Sequence, residues 1–138
     1  MTTDCVFCKI RDGQLPSLKI HEDERTLTFM DINPINSGHC LVVTRQHAAT
    51  LIDAEVEDLV AAIATAKKVA LAIQEVLKPD GLNMLQANGA AAFQSVPHFH
   101  LHLIPRWTND GKGFDWKPVP GNRETIMKTG ERLRSLLK

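Results

Sequence analysis

Two periodicities of hydrophobic and polar positions run along the chain, and they predict helices in some segments and strands in others. The longest helical pattern runs from Val56 to Leu77, where apolar residues recur every three or four positions before Pro79 and Gly81 end it. Asp53 is the predicted N-cap of this helix. Its apolar stripe, with a charged opposite face, predicts that the helix packs on a sheet.

Shorter patterns before and after this helix predict the remaining elements. Alternating apolar residues bounded by turn signals predict strands over residues 17–21, 25–30, 39–44, 82–86 and 98–104. A short first helix over residues 5–11 is capped by Asp4 and ended by Gly13, and a last helix is capped by Asn122. Because the strands are joined by short links, we expect an α+β fold with an antiparallel five-stranded sheet, a short N-terminal helix, one long helix and a C-terminal helix.

The bulk composition narrows the possible functions. We expect the 138 residues to form one domain over 1–138, with a core at about 5–106 and a tail over 107–138. The formal net charge is zero at pH 7, so charge does not favour binding to nucleic acid or to an anionic membrane. No apolar run approaches the roughly 20 residues that span a bilayer, and the first residues do not resemble a secretory signal. We therefore expect a cytoplasmic protein without nucleic-acid or membrane partners.

Three histidines alternate with apolar residues in the last predicted strand. His98, His100 and His102 therefore point to one face of the sheet, about 6.5–7 Å apart, while the residues between them face the core. Imidazole is a nucleophile when neutral and a proton donor when charged. Gln94 and Ser95, just upstream, can donate hydrogen bonds to phosphate or leaving-group oxygens. The segment is typical of nucleophilic and acid–base chemistry at a phosphate.

Two other interpretations of the histidine strand remain open. One is a solvated histidine-rich surface, although three titratable rings on one face without a partner would lower stability. The other is a metal chelate, because a His-x-His pair on a strand can hold zinc. No carboxylate lies near the histidines in sequence, but a distant one such as Asp31 could complete a hydrolytic zinc site.

A Cys-x-x-Cys pair near the amino terminus has three interpretations of its own. Cys5 and Cys8 lie on adjacent turns of the first predicted helix. A redox pair would normally follow a strand of a βαβ unit, and no strand is predicted there. Half of a zinc site is the second interpretation, with His47 and one end of the histidine strand as the further ligands. Two unrelated core cysteines are the third, and Cys40 is predicted to be a buried small hydrophobe.

Together these segments resemble one known family. The signature of histidine-triad (HIT) proteins is His-φ-His-φ-His-φ-φ, with φ hydrophobic, and residues 98–104 match it as HFHLHLI. Other landmarks of the family occur in the expected order, as CVFCKI, FMDINP, GHCLVVTRQH, GLNMLQ and QSV. The resemblance covers roughly Cys5 to Arg106 and is to the Hint-like branch. It implies a HIT-like fold.

The resemblance implies a hydrolase or nucleotidyl transferase. Its substrates would be esters or phosphoramidates of a purine nucleoside 5′-monophosphate, with an AMP or GMP moiety. The residue matched by His100 attacks the α-phosphate and forms a covalent nucleotidyl-histidine, which water then hydrolyses. His102 resembles the histidine that binds phosphate and relays protons. Ser95 matches a hydroxyl that contacts the leaving-group oxygen, and Gln94 matches the glutamine ahead of the triad.

A nucleotide pocket is implied by the same resemblance. Asp31 matches the carboxylate that binds both ribose hydroxyls, and His39 matches a second histidine beside the triad. The apolar walls of the purine pocket are matched by Val6, Phe7, Ile10, Phe29, Ile32 and Leu41. Asn88 is a further candidate nucleotide-binding residue, because the Asn88-Gly89 pair is typical of a hairpin or a ligand-binding loop.

Some bacterial members of the family have the same Cys-x-x-Cys start and bind structural zinc. By that resemblance the four ligands are Cys5, Cys8, His47 and His98, a closed set that is typical of a structural site. A homodimer is implied as well, because two chains of this family commonly join their sheets. The predicted strand at residues 82–86 offers an edge for such pairing.

Two residues differ from the pattern of the family. Ala87 stands where many relatives have an Asn or Gln that contacts phosphate, and Phe93 stands where many have Gly. These differences keep open a regulatory nucleotide-binding protein with little turnover. A Fhit-like hydrolase of dinucleoside polyphosphates is a further alternative, and neither the Cys-x-x-Cys pair nor the IPRW sequence discriminates against it.

Overall fold

The computed structural model describes residues 4–113 and 116–137, so both ends of the predicted 1–138 domain lie outside the described residues. The helices are α1 (Val6–Arg11), α2 (Val56–Leu77) and α3 (Arg123–Leu136). The strands are β1 (Lys19–Glu22), β2 (Thr26–Met30), β3 (Cys40–Thr44), β4 (Gly81–Leu85) and β5 (His100–Arg106). A 3₁₀ turn covers Ala90–Ala92. In the described part of the chain, no helix has the length and apolar character needed to cross a membrane.

All five strands form one antiparallel sheet in the order β1-β2-β3-β5-β4. The predicted α+β fold with its five-stranded sheet and three helices is therefore confirmed. β5 lies between β3 and β4, with His102 opposite Leu41 and His100 opposite Val43 on β3. This pairing places two of the three histidines in the interior of the sheet rather than at an edge.

Strand alternation gives the sheet two apolar faces. One face packs on α2 as predicted, through a buried cluster of Cys40, Val42, Phe99, Leu101, Leu103, Ala62, Ala66, Val69 and Ile73. The opposite face packs under α1, through Cys5, Phe7, Cys8, Ile10, Leu27, Phe29, Leu41 and Val43. Since Leu101 and Leu103 point to α2, the histidines between them lie on the face that α1 covers.

The caps of the first two helices differ from the prediction. α1 is capped by Cys5 rather than Asp4, because the Cys5 Sγ accepts a hydrogen bond from the Cys8 amide at 3.4 Å. α2 begins after Glu55, which makes no side-chain cap. The predicted cap Asp53 belongs to the preceding turn, where its carboxylate accepts from the amide and hydroxyl of Thr50.

β5 begins two residues later than predicted. The amide of His98 donates to the Val96 carbonyl at 2.8 Å, and the amide of Phe99 donates to the Ala48 carbonyl. His98 therefore lies just outside the strand, in the link that crosses from the Ala90–Ala92 turn. The N-cap of α3 is as predicted, since the Asn122 side chain accepts from the Thr125 amide at 2.9 Å.

Candidate functional site

A cleft of about 460 Å³ opens between α1, the ends of β2 and β3, and β5. All six residues predicted as apolar pocket walls line it, namely Val6, Phe7, Ile10, Phe29, Ile32 and Leu41. Asp31, Ser95, His100 and His102 line the same cleft. The structure thus brings an apolar slot, a carboxylate, a hydroxyl and two imidazoles into one cavity.

The His100 ring is held in one tautomer. Its Nδ1 lies 2.7 Å from the carbonyl oxygen of His98, and because a carbonyl can only accept, Nδ1 carries the proton. Burial lowers the pKa of His100, although the His98 carbonyl and the Asp31 carboxylate act in the opposite direction. A neutral His100 with a proton on Nδ1 has its lone pair on Nε2, which is the nucleophilic form of imidazole.

His102, the second imidazole of the cleft, is held in the opposite tautomer to His100 by a chain of hydrogen bonds. The Ile35 amide donates to His39 Nδ1 at 3.0 Å, so a neutral His39 carries its proton on Nε2. That nitrogen lies 3.0 Å from His102 Nδ1, which must accept. A neutral His102 therefore carries its proton on Nε2. Burial, together with the nearby His100 and His39, lowers the pKa of His102 to about 4.

Asp31 stands beside this chain of histidines. Its Oδ1 accepts from the Asn33 amide at 2.8 Å, and its Oδ2 lies 3.4 Å from His39 Nε2. Asp31, His39 and His102 thus place three potential ligand atoms close together. However, His39 Nε2 bears a proton because its Nδ1 accepts from an amide, so it offers no lone pair to a metal ion. This geometry favours a proton network over the metal chelate that the sequence left open.

Gln94 lies just before Ser95 but does not line the cleft. Its Oε1 accepts from the Gly89 amide at 2.7 Å, and its Nε2 donates to the Ala49 carbonyl at 2.6 Å. Gln94 thus spans the loop that carries Ser95. In the described structure it braces the backbone on either side of the cleft residue Ser95 rather than facing the cavity.

Asn88 is also engaged with the protein rather than with the cleft. Its Oδ1 accepts from the Leu51 amide at 2.7 Å, and its side chain is hydrogen-bonded to Gln86. It does not line the cavity, and we propose no nucleotide contact for it. Phe93, in the same loop, has a left-handed backbone (φ 65°) and is 86% exposed. A left-handed conformation is the one that glycine adopts most easily.

A second cluster, the Cys₂His₂ cluster, consists of Cys5, Cys8, His47 and His98. The His98 Nδ1 lies 3.3 Å from Cys5 Sγ, 3.6 Å from Cys8 Sγ and 3.2 Å from His47 Nδ1, and Cys8 Sγ lies 3.5 Å from His47 Nδ1. These four ligand atoms all lie within 4.8 Å of one another, and three of the four residues are buried. The described structure brings the residues together as the resemblance implied.

The donor chemistry of the Cys₂His₂ cluster fits a metal ion. His98 Nε2 lies 2.6 Å from the Thr44 carbonyl oxygen and must donate, so Nδ1 presents a lone pair to the thiols. Burial lowers the pKa of His98 to about 4, which keeps the ring neutral. Burial and the neighbouring Cys5 raise the pKa of the Cys8 thiol, so two adjacent thiolates would be unfavourable without a cation between them. Cys40, by contrast, is buried on the α2 face, and burial raises its pKa to about 11.

Two groups that organise the site were not found by sequence reasoning. They are the Thr44 carbonyl, which orients His98, and the Ile35 amide, which orients His39. Every residue other than proline has both of these backbone groups, so no residue type marks them. Their position was the available signal, since Thr44 lies in the landmark segment that contains β3 and Ile35 directly follows the segment before it.

Comparison with known proteins extends this picture. Residues 12–109 match the family model for the HIT domain. The adenosine 5′-monophosphoramidase hnt1 of Schizosaccharomyces pombe is 38% identical over 135 residues, which are 97% of this chain and 98% of that protein. The crystal structure of a HIT family protein from Bacillus anthracis is 37% identical, with a TM-score of 0.90 over 100% of both chains. A zinc-bound histidine triad family protein from Mycobacterium smegmatis is 36% identical, with a TM-score of 0.76 over 96% of this chain and 97% of that one.

Proposed function

This chain belongs to the HIT family, and from that premise we propose that it hydrolyses esters or phosphoramidates of purine nucleoside 5′-monophosphates through a nucleotidyl intermediate on His100. The observation that carries the proposal is the opposite tautomers of the two cleft histidines. His100 presents a lone pair on Nε2, and His102 presents a proton on Nε2. The S. pombe relative is an adenosine 5′-monophosphoramidase, which supports the substrate class.

In the first step, His100 Nε2 attacks the α-phosphorus and the bond to the leaving group breaks. Positive charge develops on the imidazole as the N–P bond forms, and the His98 carbonyl that accepts from Nδ1 stabilises it. His102 donates its Nε2–H to a phosphate oxygen, and Ser95 donates to the leaving atom. Both residues line the cleft, and donors that are fixed before the reaction stabilise a transition state without reorganisation. The leaving group takes the Ser95 proton as its bond to phosphorus breaks. Water then attacks the nucleotidyl-histidine and returns one proton to Ser95, the N–P bond breaks, and the products are neutral His100 and the nucleoside monophosphate.

The rest of the cleft provides binding. The apolar walls contributed by α1, β2 and β3 accommodate a purine, and burying that ring contributes roughly 25 cal/mol per Å² of apolar surface. Asp31 accepts from the ribose hydroxyls, because one carboxylate oxygen remains only weakly engaged, at 3.4 Å from His39. The carboxylate and the catalytic imidazoles would thus hold the two ends of a nucleoside monophosphate.

We further propose that the Cys₂His₂ cluster binds one structural zinc ion. The neutral, lone-pair-bearing His98 and the adjacent buried thiols fit zinc, and a related structure contains that metal. With four protein ligands the site has no open position, so zinc would link α1 and the His47 loop to the entry of β5 and would take no part in the reaction.

A homodimer and a cytoplasmic location remain predictions for this chain. β4 is an edge strand, and α2 exposes Val60, Ile63 and Leu71, which are the kinds of surface that a second copy could cover. Light scattering at micromolar concentration would test the dimer, and a monomer would contradict it.

The proposed mechanism is tested by trapping the intermediate. An adenosine phosphoramidate is mixed with the protein, quenched rapidly and analysed by mass spectrometry. We expect adenylate on His100 in the wild type, and no adenylate and no turnover in His100→Asn. His21→Asn is the matched control, since His21 lies on β1 outside the cleft. Adenylate on another residue would refute the assignment, and AMP binding without any turnover would favour a regulatory protein.

A further inference from the structure

Phe7 lies between the Cys₂His₂ cluster and the cleft. In sequence it stands between Cys5 and Cys8, the two thiols of the Cys₂His₂ cluster. In space it is 5% exposed and lines the cleft together with His100. Phe7 is therefore carried by the same segment as the two thiols, and its side chain also contacts His100 in the wall of the cleft.

Three rings surround Phe7 at steep angles. Its centroid lies 5.0 Å from that of His100 at 85°, 5.8 Å from that of His98 at 69°, and 5.4 Å from that of Phe29 at 68°. Such edge-to-face contacts have a preferred geometry, so each ring restricts the plane of its neighbour. Because Phe29 belongs to β2, Phe7 is held from the sheet side as well.

His100 has three contacts that restrict its orientation. One is with His102, whose ring centroid lies 4.9 Å away at 61°, and the other two lead to the Cys₂His₂ cluster. Of these two, one is the hydrogen bond from Nδ1 to the carbonyl of His98, whose side chain is a candidate ligand. The other is the contact with Phe7, whose position depends on the flanking thiols. A change in the arrangement of the four ligands would therefore reach His100 through its backbone partner and through its ring neighbour.

We propose that Phe7 is a positioning residue that couples metal occupancy of the Cys₂His₂ cluster to the orientation of His100. The inference rests on the proposed function of His100, and it adds that the metal site influences nucleotide binding as well as stability. The coupling is reciprocal by thermodynamic necessity. If zinc favours the orientation that binds nucleotide, nucleotide must raise the affinity for zinc by the same factor.

That reciprocity allows a test on the intact, zinc-loaded protein. Zinc affinity is measured by competition with a chromogenic chelator, in the absence and in the presence of saturating AMP. We expect AMP to tighten zinc binding about tenfold, within the usual range of coupling between two sites. Equal zinc affinity in both conditions, in a wild-type protein that binds AMP, overturns the proposal.

Phe7→Leu distinguishes positioning of His100 from simple lining of the cleft, because it keeps an apolar side chain and removes the ring. We expect AMP to tighten zinc binding less than twofold in this variant, and kcat to fall about tenfold with KM within about twofold. Phe99→Leu is the matched control, because Phe99 is equally buried (3%) but packs on the α2 face. It should keep the wild-type coupling. A Phe7→Leu protein with raised KM, unchanged kcat and full coupling would show that Phe7 is only a pocket wall.

If Phe7→Leu does not fold, the wild-type measurement still decides whether the sites are coupled. Failure of the proposed function would be seen separately. In that case the wild type would bind no AMP or would form its intermediate on a residue other than His100. Failure of the coupling alone would leave AMP binding and the His100 intermediate intact.

Discussion

Two pairs of histidines on the α1 side of the molecule have nearly the same spacing and opposite chemistry. In the Cys₂His₂ cluster, Nδ1 of His47 and Nδ1 of His98 are 3.2 Å apart. At the edge of the cleft, Nε2 of the buried His39 and Nδ1 of His102 are 3.0 Å apart. The spacing alone would allow a metal ion or a shared proton at either place.

The backbone group behind each pair makes the difference. His98 meets the Thr44 carbonyl, so its proton points away from the thiols and its lone pair points toward them. His39 meets the Ile35 amide, so its lone pair is used there and its proton points to His102. One pair is therefore prepared for a metal ion and the other for a proton, and a single backbone donor or acceptor decides which.

Removing one ligand of the Cys₂His₂ cluster should have the largest effect. Cys5→Ser removes one of four ligands, and we expect the zinc content to fall from one per chain to near zero. The free energy of unfolding should fall by about 4 kcal/mol, which corresponds to metal present at about 1,000 times its Kd. Elemental analysis and denaturant unfolding measure both quantities. Cys40→Ala is the control, since Cys40 is buried on the α2 face, away from the other two cysteines. Wild-type stability in a zinc-free Cys5→Ser protein would contradict a structural metal.

Breaking the proton-bearing pair should affect catalysis and leave zinc in place. His39→Ala removes the donor to His102 Nδ1 and leaves the Ile35 amide without its partner. We expect kcat to fall about 30-fold, equivalent to about 2 kcal/mol, because His102 loses the tautomer that donates to phosphate. Steady-state kinetics and zinc analysis of the same sample check this. Loss of zinc from His39→Ala would show that the two pairs are not independent.

Burial of His102 should make the stability of the protein depend on pH. The pKa of His102 is lowered to about 4 by burial and by His100 and His39, whereas an unfolded histidine titrates near 6.5. Between these values the unfolded chain binds a proton that the folded chain does not. Stability should therefore be greatest above pH 6.5 and decline as the pH falls toward 4, with His102 contributing to the decline. Unfolding curves at several pH values should be flatter for His102→Asn, and parallel curves would rule out this contribution.

The smallest expected effect concerns a donor that the cleft lacks. Ala87 stands where the resemblance places an amide, and its methyl group cannot donate to phosphate. We expect Ala87→Asn to raise kcat on an adenosine phosphoramidate about fivefold, or roughly 1 kcal/mol, with little change in AMP affinity. Phe93→Gly in the same chain makes room for the larger side chain. Unchanged turnover in both variants, with zinc retained, would mean that His102 and Ser95 already provide the donors that the phosphate needs.

Several features could be predicted from the sequence because they depend on neighbours in the chain. The helical stripe from Val56 to Leu77 defined α2, and strict alternation placed His100 and His102 on one face with Leu101 and Leu103 on the other. The order of the landmark segments indicated the family, which the match over residues 12–109 shows. Periodicity is a local property, and burial of one face requires it whatever the rest of the chain does.

Other features were decided only by the tertiary structure. The sequence could not show that Cys5 rather than Asp4 caps α1, or that the side chains of Gln94 and Asn88 brace loops. It could not assign the protons of the histidines either. Cys5 and His98 are 93 residues apart, and the groups that set the tautomers are the backbone carbonyl of Thr44 and the backbone amide of Ile35. Such groups are identical in every residue, so only the folded arrangement determines which one meets an imidazole, and with it whether that imidazole holds a metal ion or a proton.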